Sequence, residues 1–283
     1  MRKLHLHCIC GLYLCFPISL WGQTIQHQLT LSRYESALVS GFPVAFWLEE
    51  KYHRPDPDYL KRDRGWKNPV DQAARSLLHD RIFQNKETLP QTISDVLRTA
   101  ITLYPLLYFP RQHEPRYEFH SQPFSKFDDA AFFFSYAESQ AVNLLMTSLA
   151  KVAARRHRPW LSYRNFDSPF YENADRENAN QSFFSGHTSA VFASASFHHR
   201  MLQRFQGKGF GDGEVWGVYL AATVTGLMRI GADKHYLTDM VTGAVVGKLV
   251  GRWVVDISDY EIIDSNTVAQ KATIPVVVFS FQF

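Results

Sequence analysis

Three short groups of residues in the second half of the chain could together bind and react with a tetrahedral anion. The first is Lys151 with Arg158, which is followed by Pro159. On a helix, steps of four and three positions stay on one stripe, so Arg155 would join these two cations. Arginine offers a planar pair of donors and lysine a compact charge, and both suit the oxygens of phosphate. Taken alone, such a group is more often a solvated basic helix terminus.

The second group is Ser185–Gly186–His187, which stands where a helix is expected to begin. The Ser185 hydroxyl and the free backbone N–H groups of a first helical turn can bind the oxygens of an anion. Gly186 has no side chain to hold the anion away from the backbone. His187 can donate a proton near neutral pH. On its own, the tripeptide is more often an N-cap serine beside a surface histidine.

The third group is Arg229, His235 and Asp239. Asp239 follows His235 by four positions, so on one helix its carboxylate would lie within reach of an imidazole nitrogen. Such a contact fixes the tautomer and leaves the other nitrogen as a nucleophile. Arg229 precedes a turn at Gly231 and can reach the same anion. An ordinary His–Asp helix pair beside an arginine is the alternative for this group alone.

In this order, the three groups resemble the signature of the type 2 phosphatidic acid phosphatase superfamily, which includes class A bacterial acid phosphatases and vanadium haloperoxidases. The resemblance covers roughly Phe127–Val255 and implies a mainly α fold, a helical bundle with the site at one end. By this resemblance, the residues that hold the phosphoryl group are Lys151, Arg158, Ser185, Gly186 and Arg229. His235 would attack phosphorus, Asp239 would orient it, and His187 would protonate the leaving oxygen. Water would then resolve the phosphohistidine.

Two positions depart from the superfamily's common pattern. Phe184 stands where proline usually precedes Ser-Gly-His, and Met228 stands where a small residue usually precedes the arginine. Neither change removes a catalytic side chain. The expected effect is therefore on the shape of the pocket and not on the chemistry.

The same residues favour chemistry without a metal ion or another cofactor. Fixed cations can neutralise the charge that spreads over a phosphoryl group in the transition state. His235 and Asp239 already have roles, so they are not left over as metal ligands. We therefore expect a phosphoric ester hydrolase that is active in the presence of a chelator. A vanadium haloperoxidase holding vanadate on His235, and a phosphate-binding protein without catalysis, are the alternatives.

Helices are expected to position these groups. Hydrophobic periodicity and helix-end signals predict helices at Ile93–Leu107, Asp128–His157, Thr188–Phe205, Val215–Met228 and His235–Val254. Short connections between them indicate a mainly α bundle. The tail Pro275–Phe283 alternates apolar and polar residues, as does Ile25–Leu31, and the two could pair as a small terminal β-ribbon.

The composition limits the class of protein. The chain has 283 residues, 46% of them hydrophobic, and a net charge of +3. This supports one sizeable core but no nucleic-acid partner, because no long basic run is present. Arg2 and Lys3 followed by the apolar stretch Cys8–Trp21 predict an export signal, although a single retained anchor is the alternative. All three cysteines lie within that stretch, so we expect no disulfide in the mature protein.

The sequence thus predicts four regions: a signal peptide at 1–22, an N-terminal helical and irregular region at 23–126, a phosphatase core at 127–257 and a tail at 258–283. We expect an exported protein, periplasmic or associated with the outer side of the inner membrane, with peripheral membrane contact. Its substrate would be a phosphate monoester or a lipid-linked (pyro)phosphate. Aromatic residues near the motifs favour a lipid: Phe166, Phe170, Tyr171, Phe183 and Phe184. The lack of long apolar spans favours a soluble substrate, and the oligomeric state stays open.

Overall fold

The computed structural model describes residues 68–109, 129–163, 178–209 and 211–258, all of whose regular elements are helices. In chain order these are α1 (Pro69–Arg75), the π-helix Ser76–Ile82, α2 (Thr88–Tyr108), α3 (Asp129–Ala154), α4 (Pro159–Tyr163), α5 (Gly186–Gln206), α6 (Gly213–Gly231) and α7 (Leu237–Ile257). The predicted mainly α class is therefore confirmed. The signal peptide, both ribbon segments and the aromatic residues at 166, 170 and 171 lie outside the described residues.

Helix α5 is the centre of the bundle and packs against α2, α3, α6 and α7. Its side chains Phe197, Met201 and Leu202 are fully buried, together with Phe132 of α3 and Val254 of α7. Each large apolar side chain that is fully buried stabilises the fold by about 1.5–3 kcal/mol. The core therefore holds four helices around the one that begins with Gly186.

Helices α5 and α7 are in backbone contact along a stripe of glycines. Gly243, Gly247 and Gly251 recur every four residues and so lie on one face of α7. A Cβ at Gly247 would lie 2.1 Å from the carbonyl oxygen of Ser189, and one at Gly251 would lie 2.2 Å from that of Ala193. No side chain fits at that distance, so glycine is required for this close approach. The stripe fixes α7 against α5.

The helix that carries Lys151 is shorter than the sequence predicts. α3 ends at Ala154 and not near His157, and the next residue, Arg155, has a left-handed backbone with φ 43°. Arg158 therefore lies beyond the helix. The prediction that Lys151, Arg155 and Arg158 form one helical stripe is wrong.

The start of α5 is close to the prediction. The helix begins at Gly186, and Ser185 is its N-cap, as predicted, with its Oγ accepting a hydrogen bond from the Thr188 backbone N–H at 3.4 Å. The helix ends before Gly207, whose φ of 64° is left-handed. None of the helices described is long and apolar enough to pass through a bilayer.

Candidate active site

His235 lies before helix α7 and not on it, because the helix begins at Leu237. Its buried ring places Nδ1 2.7 Å from the carbonyl oxygen of Ser182. A carbonyl oxygen only accepts, so Nδ1 carries the proton and Nε2 carries the lone pair. The distance from Nδ1 to Asp239 Oδ2 is 3.8 Å, too long for a hydrogen bond. The predicted helix pair is therefore wrong, and Ser182 fixes the tautomer.

Asp239 acts on His235 through Ser182. Its fully buried carboxylate accepts hydrogen bonds from the Ser182 hydroxyl at 2.5 Å and from the Tyr236 backbone N–H at 2.9 Å. Burial raises the pKa of Asp239, while the Arg156 guanidinium and these hydrogen bonds work in the opposite direction. The carboxylate thus holds the residue whose carbonyl meets the imidazole.

Three cations from the sequence motifs act electrostatically on the His235 ring. Burial holds the pKa of His235 well below its ordinary value of 6.5, and the charges of Arg158, Arg229 and Lys151 lower it further. The imidazole is therefore neutral at physiological pH, with a lone pair on Nε2. Arg158 is itself oriented by a 2.9 Å hydrogen bond from its Nε to the carbonyl oxygen of Asn178. A neutral imidazole with a free lone pair and three cations are thus brought together.

The second motif is joined to the third by a backbone hydrogen bond. The N–H of Ser185 donates to the carbonyl oxygen of Asp239 at 3.1 Å. Ser185 is fully buried, and its hydroxyl also accepts from the Thr188 hydroxyl at 2.9 Å. A Cβ at Gly186 would lie 3.2 Å from Thr147 Cγ2, which is tighter than ordinary contact. These contacts fix the N-terminus of α5 beside the third motif, and a helix N-terminus favours negative charge.

His187 contacts a carboxylate that the sequence did not reveal. Its Nε2 lies 2.9 Å from Oδ1 of Asp95 on α2, and Nη1 of Arg229 lies 3.5 Å from the same oxygen. The pKa of His187 is strongly lowered, first by burial and then by Arg229 and Arg98. Asp95 and Arg98 are one turn apart, so α2 presents both to the site. No pattern in the chain links α2 to the motifs, which is why these residues were missed.

Comparison with known proteins identifies the domain that carries these motifs. Residues 131–263 match the model of the PAP2 superfamily, and they include all three groups. These residues form a PAP2 superfamily domain. An 85-residue stretch, 28% of the chain, is 35% identical to a Lipid A 1-phosphatase of Porphyromonas gingivalis and covers 17% of that protein. No solved structure matches the chain. The superfamily resemblance of the motifs is thus confirmed.

Helix α1, outside the PAP2 domain, supports the site through Arg156. This buried arginine donates from Nη2 to Asp71 at 2.8 Å and from Nη1 to Asp239 at 2.6 Å. Its guanidinium also lies 4.0 Å from the centre of the Tyr236 ring. Asp71 in turn accepts from the backbone N–H of Thr238 at 2.8 Å, within the first turn of α7. Arg156, and not the neighbouring Arg155 of the predicted cationic stripe, holds Asp239 in place.

The loop between Arg229 and His235 is also anchored from outside the PAP2 domain. Arg75 donates to both oxygens of the buried Asp233, at 2.6 and 2.8 Å. His79, in the π-helix, places Nδ1 2.9 Å from the carbonyl oxygen of Gly231. These contacts hold the turn that sets the distance between the third-motif arginine and histidine.

Within the described residues, one group has donor atoms close enough to share a metal ion. It consists of His79, Glu87 and Asp233, whose ligand atoms lie within 4.8 Å of one another. Arg75 already neutralises Asp233 with two hydrogen bonds. We therefore interpret Asp233 as an ion-paired anchor for the loop rather than as a metal ligand.

Proposed function

We propose that the protein is a metal-independent phosphatase that hydrolyses lipid phosphates through a phosphohistidine. The observation that carries this proposal is the state of His235. Its ring is neutral and its Nδ1 proton is directed to the Ser182 carbonyl, so Nε2 offers a lone pair among three cations. A nucleophile with a lone pair beside fixed positive charge is what transfer of an anionic phosphoryl group requires.

The first chemical step forms the phosphohistidine. Lys151, Arg158 and Arg229 hold the phosphoryl oxygens, with the N-terminus of α5 as a further donor. His235 Nε2 attacks phosphorus, and the bond from phosphorus to the ester oxygen breaks. His187 gives a proton to that oxygen, which leaves as an alcohol.

Hydrolysis of the intermediate reverses these roles. Neutral His187 takes a proton from a water molecule, whose oxygen attacks phosphorus, and the bond between phosphorus and Nε2 breaks. Inorganic phosphate is released, and His235 returns to its neutral form. The imidazole ring is positively charged while it carries phosphate. The Ser182 carbonyl and the Asp239 carboxylate, 3.8 Å from Nδ1, stabilise that charge.

His187 changes its protonation state when substrate binds. In the free enzyme, burial and the charges of Arg229 and Arg98 lower its pKa, so the ring is neutral. A bound phosphate dianion offsets those positive charges and favours the imidazolium. The general acid is therefore charged only when there is a leaving group to protonate.

A lipid substrate is supported by the relative and by the surface of α7. The similar protein from Porphyromonas gingivalis bears the name Lipid A 1-phosphatase. Large apolar side chains recur every four residues on α7 and are exposed: Val241, Val245, Leu249, Trp253 and Ile257. An exposed apolar stripe of this kind suits contact with acyl chains or a membrane surface. We propose that the enzyme works outside the inner membrane on such a surface.

The decisive test measures phosphate release in the presence of a chelator. Purified protein should hydrolyse long-chain phosphatidic acid in detergent micelles, and His235→Ala should lose turnover by at least about 1,000-fold while staying folded by circular dichroism. Glycerol 3-phosphate carries the same ester without acyl chains, and we expect its kcat/KM to be at least about tenfold lower.

Trapping identifies the mechanism. An alkali-stable, acid-labile phosphoprotein should accumulate in a rapid quench of the wild type and be absent from His235→Ala. Turnover that requires an added metal, or that survives in His235→Ala, would refute the mechanism. Bromide oxidation by peroxide in the presence of vanadate, without phosphatase activity, would establish a haloperoxidase instead.

A further inference from the structure

We infer that Asp95, on α2 and outside the PAP2 domain, is a positioning residue that orients His187 and stabilises the imidazolium that protonates the leaving group. The inference rests on the proposed phosphatase function. It assigns a role to a residue that belongs to none of the three motifs.

The geometry decides which nitrogen of His187 gives up the proton. Asp95 Oδ1 lies 2.9 Å from Nε2, and an ionised carboxylate only accepts hydrogen bonds. Nε2 therefore carries a hydrogen that stays on the Asp95 side of the ring. The proton for the leaving oxygen must come from Nδ1 of the doubly protonated ring. Asp95 thus fixes the rotation of the His187 ring. It also fixes the tautomer of the neutral ring that is left once Nδ1 has given up its proton.

His187 needs such a partner because its surroundings are positively charged. Arg229 on α6, Arg98 on α2 and Arg158 with His235 from the loops all disfavour its protonated form. Asp95 is the carboxylate in direct contact with the ring. An opposite charge at hydrogen-bond distance favours the imidazolium and works against these cations. Without Asp95, the bound phosphate alone would have to compensate for them.

Helix α2 has a second contact at the site, so its position should not depend on Asp95. Ser94, the preceding residue, is fully buried and accepts a hydrogen bond from Arg229 Nη1 at 3.2 Å. The Asp95 side chain itself is 50% exposed. An asparagine in its place meets water on one side and keeps the shape of the carboxylate. We therefore expect the variant to fold normally, because the buried contact of α2 is retained.

The experiment compares leaving groups in Asp95→Asn. A phosphate ester of a simple alcohol needs a proton on its leaving oxygen, whereas 4-nitrophenyl phosphate has a weakly basic leaving group that departs without one. Loss of a general acid's partner should lower kcat for the alkyl ester by about 10- to 100-fold, and that for the aryl ester by less than about 3-fold. Because the neutral amide stabilises the imidazolium less, the basic limb of the kcat–pH profile for the alkyl ester should move to lower pH.

Two variants serve as controls. Asp95→Glu restores the charge and should recover part of the alkyl-ester activity. Asp256→Asn removes another ion-paired carboxylate, bound to Arg200 and Arg252 near the far end of α7, and should leave both substrates unaffected.

Two results would overturn the inference. Equal loss of kcat with both substrates would show a merely structural role for Asp95. A lower KM with unchanged kcat would show that Asp95 competes with phosphate for Arg229. Failure of the proposed function has a separate signature, which is absence of turnover by the wild type or full activity of His235→Ala.

Discussion

Arg156 links helix α1 to the first turn of α7, and its replacement tests whether residues outside the PAP2 domain support the site. In Arg156→Met, two buried carboxylates lose the guanidinium that lies between them at 2.8 and 2.6 Å. Asp71 is 1% exposed and Asp239 is 0% exposed, so water cannot replace the lost charge. We expect the free energy of unfolding at pH 7 to fall by about 3–5 kcal/mol, the usual effect of breaking a buried ion pair on one side.

The remaining hydrogen bonds set the upper end of that range. Asp71 keeps the Thr238 backbone N–H at 2.8 Å and the Thr238 hydroxyl at the same distance. Asp239 keeps the Ser182 hydroxyl and the Tyr236 N–H. Because each carboxylate retains two donors, the loss should not exceed that of one uncompensated buried pair.

The pH dependence of the loss identifies its cause. Burial raises the pKa of Asp239 above the ordinary 3.8. Proton binding by Asp239 therefore stabilises the folded state. This contribution is fully present below pH 3.8 and is lost as the pH rises through the higher pKa of the folded protein. Arg156 works against that rise, so the pKa of Asp239 should be higher still in Arg156→Met. The destabilisation should therefore be larger at pH 7 than at about pH 4, where Asp239 becomes protonated in both proteins.

Urea unfolding of the wild type and the variant at both pH values measures this difference. Arg252→Met is the matched control, because Arg252 is 62% exposed and its ion pair with Asp256 is on the surface. It should cost no more than about 0.5 kcal/mol at either pH. A loss below about 1 kcal/mol in Arg156→Met, or one of equal size at both pH values, would refute the view that Arg156 neutralises Asp239 in the folded protein.

Two further predictions concern the glycine stripe and the nucleophile. Gly247→Ala should destabilise the protein by about 1–3 kcal/mol or more, because the new Cβ meets the Ser189 carbonyl oxygen at 2.1 Å. In Gly217→Ala the new Cβ has no atom within 4 Å, so this variant should instead stabilise helix α6 by about 0.5–1 kcal/mol. Equal thermal stability of the two variants would contradict the close contact between α5 and α7. The His235 ring should not titrate in NMR spectra between about pH 5 and 8, because its pKa lies well below 6.5. Arg158→Gln should raise that pKa, and a wild-type titration near 6.5 would contradict the buried, cation-surrounded ring.

Much of the fold could be predicted because hydrophobic periodicity follows from helix geometry alone. The helix predicted at Ile93–Leu107 is observed at Thr88–Tyr108, and that predicted at Val215–Met228 at Gly213–Gly231. The clearest error is the end of α3. Arg155 leaves the helix with a positive φ four residues before Pro159, so the proline signal gave the end of α3 too late.

The candidate site was likewise predictable only in part. The three motifs contain the cations that act on His235 in the folded chain, namely Lys151, Arg158 and Arg229. The resemblance of the ordered motifs to a known superfamily predicted that these side chains would lie together. The partners of those side chains could not be predicted, since Asp71 and Arg156 are 85 positions apart and Arg75 and Asp233 are 158 positions apart. One signal was present and not used: the recurrence of Gly243, Gly247 and Gly251 every four residues indicates close helix packing.

The contacts of residues 68–109 show that the structural unit around the candidate site extends beyond the PAP2 domain. Three parts of the candidate site are contacted by a charged side chain from this segment. Asp71 holds Arg156 against Asp239, Arg75 holds the loop before His235, and Asp95 holds His187. A buried ion that loses its partner costs several kcal/mol, and a folded domain is stable by only about 5–15 kcal/mol. Two such losses, at Arg156 and at Asp233, would consume most of that margin. Residues 68–109 are therefore part of the same folding unit as the three motifs, and the geometry of the candidate site depends on them.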